Sequence, residues 1–171
     1  PDNGKTITTR QLLGHLSGIR HYARSEYINR HHYASVTEAL AVFQNDSLLH
    51  APGSKYSYSS YGYVLASAVI EKASGRDFLG CVKEDLFNVL SLTSMSPDQN
   101  DTLDTSQAKP YTLDSSNHWV PGSFNDNSIR WAAGGFLSSS EDLVRFASSL
   151  LKDGYLNADT RSLLFTSQKT N

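Results

Sequence analysis

Five small polar residues, Thr8, Ser35, Asp77, Ser138 and Asn157, each stand ahead of an apolar stripe with helical spacing. This pattern constrains the fold more than any other feature of the chain. A short side-chain oxygen before a helix answers backbone N–H groups that have no partner inside it. Thr8 with Gln11, and Ser35 with Glu38, have the spacing of a capping box, in which each side chain satisfies the other residue's backbone donor. The stripes follow. Leu12, Leu13 and Leu16 make the first, with Ser17-Gly18 as the predicted stop, and Leu40 and Phe43 the second. Val64, Leu65, Ala68, Val69 and Lys72 form another, closed by Gly75. Asp77 leads Phe78, Val82, Leu86 and Phe87. Ser138 with Glu141 leads Leu143, Phe146, Leu150 and Leu151 up to Gly154, and Asn157 leads Leu163 and Leu164. The expectation is about six helices with little strand, a mainly α chain.

Residues 91–128 differ. Ser, Asp, Asn, Thr and Pro dominate, which predicts loops and one hairpin around Tyr111 and Trp119. In Trp131-Ala132-Ala133-Gly134-Gly135-Phe136, the paired glycines predict a close approach of backbone. Pro1-Asp2-Asn3-Gly4 reads as a loop inside something longer, so a fragment or processed chain is expected.

Several function classes are disfavoured. The 171 residues carry 15 Lys and Arg against 17 Asp and Glu, a net charge of −2, without the positive excess of a polyanion binder. Cys81 is the sole cysteine, so neither an internal disulfide nor a cysteine-based zinc site can form. No apolar run approaches the roughly 18 residues of a membrane span. His31 and His32 are adjacent and point apart, and the histidines as a set (with His15, His21, His50 and His118) read as surface or helix-packing residues rather than metal ligands. No dinucleotide or Walker pattern follows Gly134-Gly135, so no cofactor is expected. Between Arg20 and Tyr33, Arg20, Arg24 and Arg30 interleave with Tyr22, Tyr27 and Tyr33. This is a single-strand-binding composition that reads more simply as a mobile surface loop.

Four ordered stretches carry a resemblance that covers nearly the whole chain. They are Ile7-Thr8-Thr9-Arg10 with Leu12-Leu13-Gly14-His15-Leu16-Ser17-Gly18-Ile19, then Ala51-Pro52-Gly53-Ser54, then Tyr58-Ser59-Ser60-Tyr61-Gly62-Tyr63, and Trp131 to Asp142. Together they resemble the penicillin-binding and serine β-lactamase-like superfamily, of the class C β-lactamase and DD-peptidase kind. The run from His15 to Tyr22 is most similar to its mitochondrial members and their bacterial kin.

The resemblance implies the helical lobe of the β-lactamase/transpeptidase-like fold, cut from an α+β parent, with residues 1–171 a partial domain. It implies acyl transfer through an acyl-serine, cleaving amide or ester bonds of a small-molecule or peptide substrate. In that family a Ser-x-x-Lys supplies nucleophile and cation, a Tyr-x-Asn the proton shuttle and an amide, and a Lys- or His-Thr-Gly strand completes the pocket. A phenol titrates near pH 10, so a tyrosine base needs close cations. Tyr58 matches the catalytic tyrosine. Ser60 stands where the asparagine belongs, as the substrate-positioning candidate. Its hydroxyl offers one donor where an amide offers two donors and an acceptor, which disfavours β-lactam hydrolysis relative to simple ester or peptide hydrolysis.

By the resemblance, the Ser-x-x-Lys belongs tens of residues before Ile7 and the Thr-Gly strand well beyond Asn171, so the chain alone is expected to be inactive and to pack on the rest of its parent. Three local imitations are rejected. Ser106-Gln107-Ala108-Lys109 precedes Pro110, which pushes Lys109 out of helical geometry. Ser149 to Lys152 sits at a helix C-terminus, where the dipole opposes an anion. Lys169-Thr170-Asn171 lacks the glycine. The rival expectation is a degenerate, non-enzymatic member serving as a binding or assembly module, since mitochondrial-type relatives are associated with filament assembly. The resemblance implies a periplasmic, extracellular or mitochondrial setting, places the loop of residues 20–33 near the mouth of the site as a possible lid, and leaves the oligomeric state open. The isolated chain is expected to expose apolar surface.

Overall fold

In a computed structural model describing residues 6–99 and 105–170, six α-helices follow one another: α1 Thr9–Leu13, α2 Val36–Leu40, α3 Ser60–Ser74, α4 Phe78–Val82, α5 Ser140–Leu151 and α6 Ala158–Leu164. The loop-like reading of Pro1 to Gly4 lies outside the described residues. Four short strands complete the described chain. Of these, β1 Ser96–Pro97 pairs antiparallel with β4 Phe136–Leu137, and β2 Tyr111–Leu113 pairs with β3 Trp119–Pro121. The second pair is the predicted hairpin, with Leu113 opposite Trp119.

The caps explain where the helices begin. Thr8 Oγ1 accepts the Gln11 N–H at 3.2 Å and Gln11 Oε1 accepts the Thr8 N–H at 2.9 Å, a complete capping box. Ser35 Oγ accepts the Glu38 N–H at 3.1 Å, but the Glu38 carboxylate turns one residue upstream to the Ala34 N–H. Asp77 Oδ1 and Asn157 Oδ1 cap α4 and α6. At α5 the cap is Ser139, which accepts from Asp142 N–H, rather than Ser138, whose hydroxyl donates to the Ser139 carbonyl. Asp142 is itself buried and its carboxylate takes the Ser94 N–H at 2.6 Å, tying α5 to the loop before β1. After α4 the chain makes one π-turn over Lys83–Phe87, which brings Phe87 into the interior.

Helix stops follow the glycines less closely. α3 ends at Gly75 in left-handed conformation, as the sequence predicts. α1 ends at Gly14, short of the predicted Ser17-Gly18, because His15 turns left-handed at φ 58°. Gly18, at φ 82°, serves a crossing instead, since a Cβ there would stand 2.4 Å from the His50 carbonyl oxygen. Hydrogen bonds from Leu49 N–H to the Gly18 carbonyl and from Gly53 N–H to the Leu16 carbonyl, both 2.8 Å, hold that crossing. The predicted close approach at Gly134-Gly135 is present, because a Cβ on Gly135 would meet Trp131 Cα at 2.9 Å.

The core forms around α3. Tyr61 is fully buried and stacks on Phe43 at 4.3 Å between ring centroids. Leu12 from α1, Ile19 from the following loop, Val36 and Ala39 from α2, Val64 and Ala66 from α3, Phe78 from α4 and Ile129 from the 3-10 turn Ser128–Ala133 complete the cluster. Outside it, Leu13, Val69, Ile70, Val144, Leu151, Leu163, Leu164 and Phe165 are exposed, giving the apolar surface the sequence predicts. Among the described residues no helix is long and apolar enough to cross a membrane.

Two glycines in left-handed conformation differ in one respect, which separates backbone strain from steric overlap. Gly75 has open space where a Cβ would go, and Gly18 has a carbonyl. Gly75→Ala is expected to cost about 1–2 kcal/mol of backbone strain. Gly18→Ala should cost more and lower the urea midpoint further at unchanged m. Equal midpoints for the two variants would refute the crossing as a constraint.

Candidate active site

Tyr58 sits one residue before the α3 cap, and its position follows from how that helix end is satisfied. The cap is Ser59, with no exposed surface. Its hydroxyl accepts the Gly62 N–H at 3.0 Å and donates to the Arg20 carbonyl at 2.8 Å, so one group serves both the helix and the loop that crosses it. The Ser59 N–H donates to His15 Nδ1 and the Ser60 N–H to His21 Nδ1, each at 3.2 Å. The Ser57 N–H donates to the His15 carbonyl at 2.9 Å. Both neighbours of Tyr58 in sequence are thus tied to His15. An amide can only donate, so Nδ1 of each imidazole is unprotonated and, in the neutral ring, Nε2 carries the hydrogen.

Tyr58 is 53% exposed, and its ring is held by edges rather than by burial. The His15 ring lies 4.5 Å from it and the His21 ring 5.1 Å. Burial holds the His15 imidazole below its ordinary pKa. Burial does the same at His21, helped by the nearby Arg130 cation and by His15. Beside His21, the Tyr22 phenol is pushed up by burial, an effect opposed by the Ser60 hydroxyl and Arg130. Ser60 is 4% exposed. Its side chain therefore belongs to the floor under Tyr22 and His21, while Tyr58 faces outward.

The loop of residues 20–33 is anchored rather than mobile. Arg20 forks the Glu26 carboxylate at 2.7 and 3.0 Å, reaches Asp46 through Nε at 2.5 Å, and lies 5.1 Å over the Tyr61 ring. The Arg20 guanidinium holds the Glu26 carboxyl below its usual range. At the far end, Asn29 donates twice, from its backbone N–H to Asn125 Oδ1 and from its side-chain Nδ2 to the Asp126 carbonyl. The Tyr33 N–H bonds Ser128 Oγ at 2.9 Å. Arg130 covers the Tyr22 ring at 5.0 Å and donates to the Glu26 and Tyr27 carbonyls. Of the three arginines in this loop, Arg20 is thus paired with Glu26 and Asp46.

The structure brings Tyr58 and Ser60 to one helix end, and it adds His15 and His21, which the sequence shows only as packing histidines. Their signal was position: both stand in the run from His15 to Tyr22 that carries part of the family resemblance. Among the described residues no three His, Cys, Asp or Glu side chains gather as a metal group. Of the rejected imitations, Ser106 and Lys109 are exposed outside any helix, and Ser149 donates to the Phe146 carbonyl near the end of α5. Lys169 and Thr170 form no strand, and Asn171 lies outside the described residues.

The family model for Beta-lactamase matches residues 1–171. The chain belongs to the beta-lactamase family. Within that family's reach, it is 29% identical over 160 residues to the human serine beta-lactamase-like protein LACTB, mitochondrial, covering 85% of this chain and 29% of that protein. It is 25% identical to penicillin-binding protein 4* of Bacillus subtilis, covering 96% of this chain and 40% of that one. Among solved structures, a D-stereospecific amidohydrolase from Streptomyces sp. superposes at a TM-score of 0.81 with 27% identity, over 96% of this chain and 52% of its own. A penicillin-binding protein from Bacillus halodurans shares the fold at a TM-score of 0.79 and 22% identity, covering 97% of this chain and 54% of its own. The chain thus spans between about a third and half of the length of these proteins.

Ser59→Ala removes the α3 cap and leaves the Arg20 carbonyl without its hydroxyl donor in a buried setting. A loss of about 2–3 kcal/mol is expected, against about 1 kcal/mol for Ser35→Ala at the exposed α2 cap. Paired urea titrations check this, and equal losses would mean the Ser59 bridge adds nothing beyond ordinary capping.

Proposed function

We propose that this chain is the helical lobe of a serine hydrolase of the β-lactamase/DD-peptidase-like kind, acting on amide or ester bonds through an acyl-serine. Tyr58 is its general acid/base, shuttling a proton between the nucleophilic serine and the leaving group. The observation that carries the reading is the placement of Tyr58. It matches the family tyrosine, stands exposed at the start of α3, and is braced by two imidazoles whose Nδ1 atoms face backbone amides. The amidohydrolase likeness supports amide chemistry. The nucleophile and its lysine belong to a Ser-x-x-Lys segment of the full-length protein, and the Thr-Gly strand to another.

Ser60 is the substrate-positioning candidate. Its burial limits that role to a contact at the floor of the site, next to the Tyr22 phenol. The same burial is what favours the second reading, a degenerate member acting as a binding or assembly module, because a hidden hydroxyl replaces an amide that would reach substrate. The mitochondrial and bacterial relatives support either a mitochondrial or a periplasmic setting.

Labelling with a fluorophosphonate serine probe, read by intact mass and peptide mapping, separates the readings. The 171-residue chain is expected to form no adduct, and a stable adduct on Ser106 or any other serine in it would overturn the placement of the nucleophile. The full-length protein is expected to be phosphonylated by the probe, with Tyr58→Phe slower by a factor of about 10²–10⁴. Labelling of Tyr58→Phe at the unmodified rate would remove Tyr58 from the chemistry, and no labelling of the full-length protein would favour the binding module.

A further inference from the structure

Tyr58 is more than half exposed, so packing alone does not fix its direction. Three hydrogen bonds do, and all of them end on two histidines. The amides of Ser57 and Ser59, on either side of Tyr58, go to the carbonyl and Nδ1 of His15. The amide of Ser60 goes to Nδ1 of His21. The two rings also contact the phenol directly, His15 tilted at 41° and His21 edge-on at 72°. His15 is held ready by its own left-handed backbone, φ 58°, an orientation that few residues besides Gly, Asn and Asp adopt without strain.

The two bonds to Nδ1 each depend on an imidazole lone pair, whereas the Ser57 amide bonds the His15 backbone carbonyl and does not. Protonating Nδ1 sets an N–H against an N–H, so an imidazolium at either position cannot hold its amide in this geometry. The groups that face these rings are few. Around His15 they are the phenols of Tyr56, Tyr58 and Tyr63. Around His21 they are the phenols of Tyr22, Tyr27 and Tyr58, the Arg130 guanidinium and the His15 imidazole. No carboxylate is among these neighbours to favour an imidazolium, and burial disfavours it at both sites. The nearby carboxylate of Glu26 is committed to Arg20.

We propose that His15 and His21 are positioning residues for Tyr58, which hold the start of α3 through their Nδ1 atoms and keep the phenol in working geometry only while both rings are neutral. This rests on the reading of Tyr58 as the acid/base. It assigns the acid side of the pH–rate profile, in part, to loss of Tyr58 placement rather than to protonation of a reacting group. The effect belongs in kcat more than KM, because neither imidazole is asked to touch substrate.

The test uses the full-length protein with two readouts. In one, phosphonylation of the nucleophilic serine by a fluorophosphonate probe, with loss of fluoride, is followed between about pH 5 and 8, across the ordinary imidazole range. In the other, selective ¹⁵N-serine labelling follows the Ser59 and Ser60 amides over the same range. His15→Asn/His21→Asn keeps a carbonyl acceptor, suits the left-handed position and does not titrate. It is expected to react with the probe faster than the Leu pair near pH 7.5, a partial rescue, and to flatten the acid limb. His15→Leu/His21→Leu removes the acceptors and is expected to lose about 10- to 100-fold in rate at all pH values. In the unmodified protein the two amide resonances should move with the imidazole titration. Amides that stay still while the imidazoles titrate, or an acid limb unchanged in the Asn pair, overturn the proposal. Amides that follow the imidazoles while Tyr58→Phe reacts with the probe at the unmodified rate overturn it through the catalytic reading instead.

Discussion

The arrangement of this chain depends on satisfying the N-terminal donors of α3. A helix begins with N–H groups that have no partner within it, and leaving them unpaired in a buried setting costs more than a typical hydrogen bond contributes. Three residues answer the need here. Ser59 caps Gly62, His15 takes the Ser59 amide and His21 takes the Ser60 amide. Because Ser59 also donates to the Arg20 carbonyl, the segment carrying both histidines is drawn across the helix end. Arg20 then anchors that segment to Glu26 and Asp46, and Arg130 covers it from the opposite side. The same interactions that complete the helix therefore place the candidate site.

The organisation of the helices was legible in the sequence because caps are local. Thr8, Ser35, Asp77 and Asn157 begin helices where the spacing places them, since a cap acts over three residues and needs no tertiary contact. The hairpin at Tyr111 and Trp119 was legible for the same reason. The stops were harder. Gly18 looks like a helix terminator, yet its freedom serves a crossing with His50, a residue 32 positions away that no local pattern reveals. Choosing Ser138 over Ser139 missed by one residue because three consecutive serines offer equal caps, and burial of Asp142 against Ser94 decides between them.

The site was legible only through resemblance. Tyr58 and Ser60 matched a motif, but nothing in their neighbourhood showed that Ser60 would be hidden and Tyr58 exposed. That outcome follows from α3 geometry: Ser60 is the first helical residue and turns inward beside Tyr61, whereas Tyr58 precedes the cap in extended chain. His15 and His21 stayed unrecognised because a lone histidine carries no periodic signal, and their partners are backbone amides about 40 positions on. The loop of residues 20–33 looked mobile from its polar, aperiodic composition, and its anchors at Asn29 and Tyr33 lie almost a hundred residues away in sequence.

The electrostatics of the pair bear on the chemistry of Tyr58. A phenol acting as a base near neutral pH needs a cation close by, and the imidazoles that touch Tyr58 do not supply one. Each presents Nδ1 to an amide, so becoming cationic would break the bond that holds the helix end. Arg130 acts on His21, but its guanidinium is turned to the Glu26 and Tyr27 carbonyls and the face of Tyr22. On the hydrolase reading, the histidines therefore supply geometry and the charge arrives from the lysine of the Ser-x-x-Lys segment. Separating the two duties has a physical advantage. The groups that orient Tyr58 remain neutral while its proton moves, so the placement of the phenol does not change with its charge.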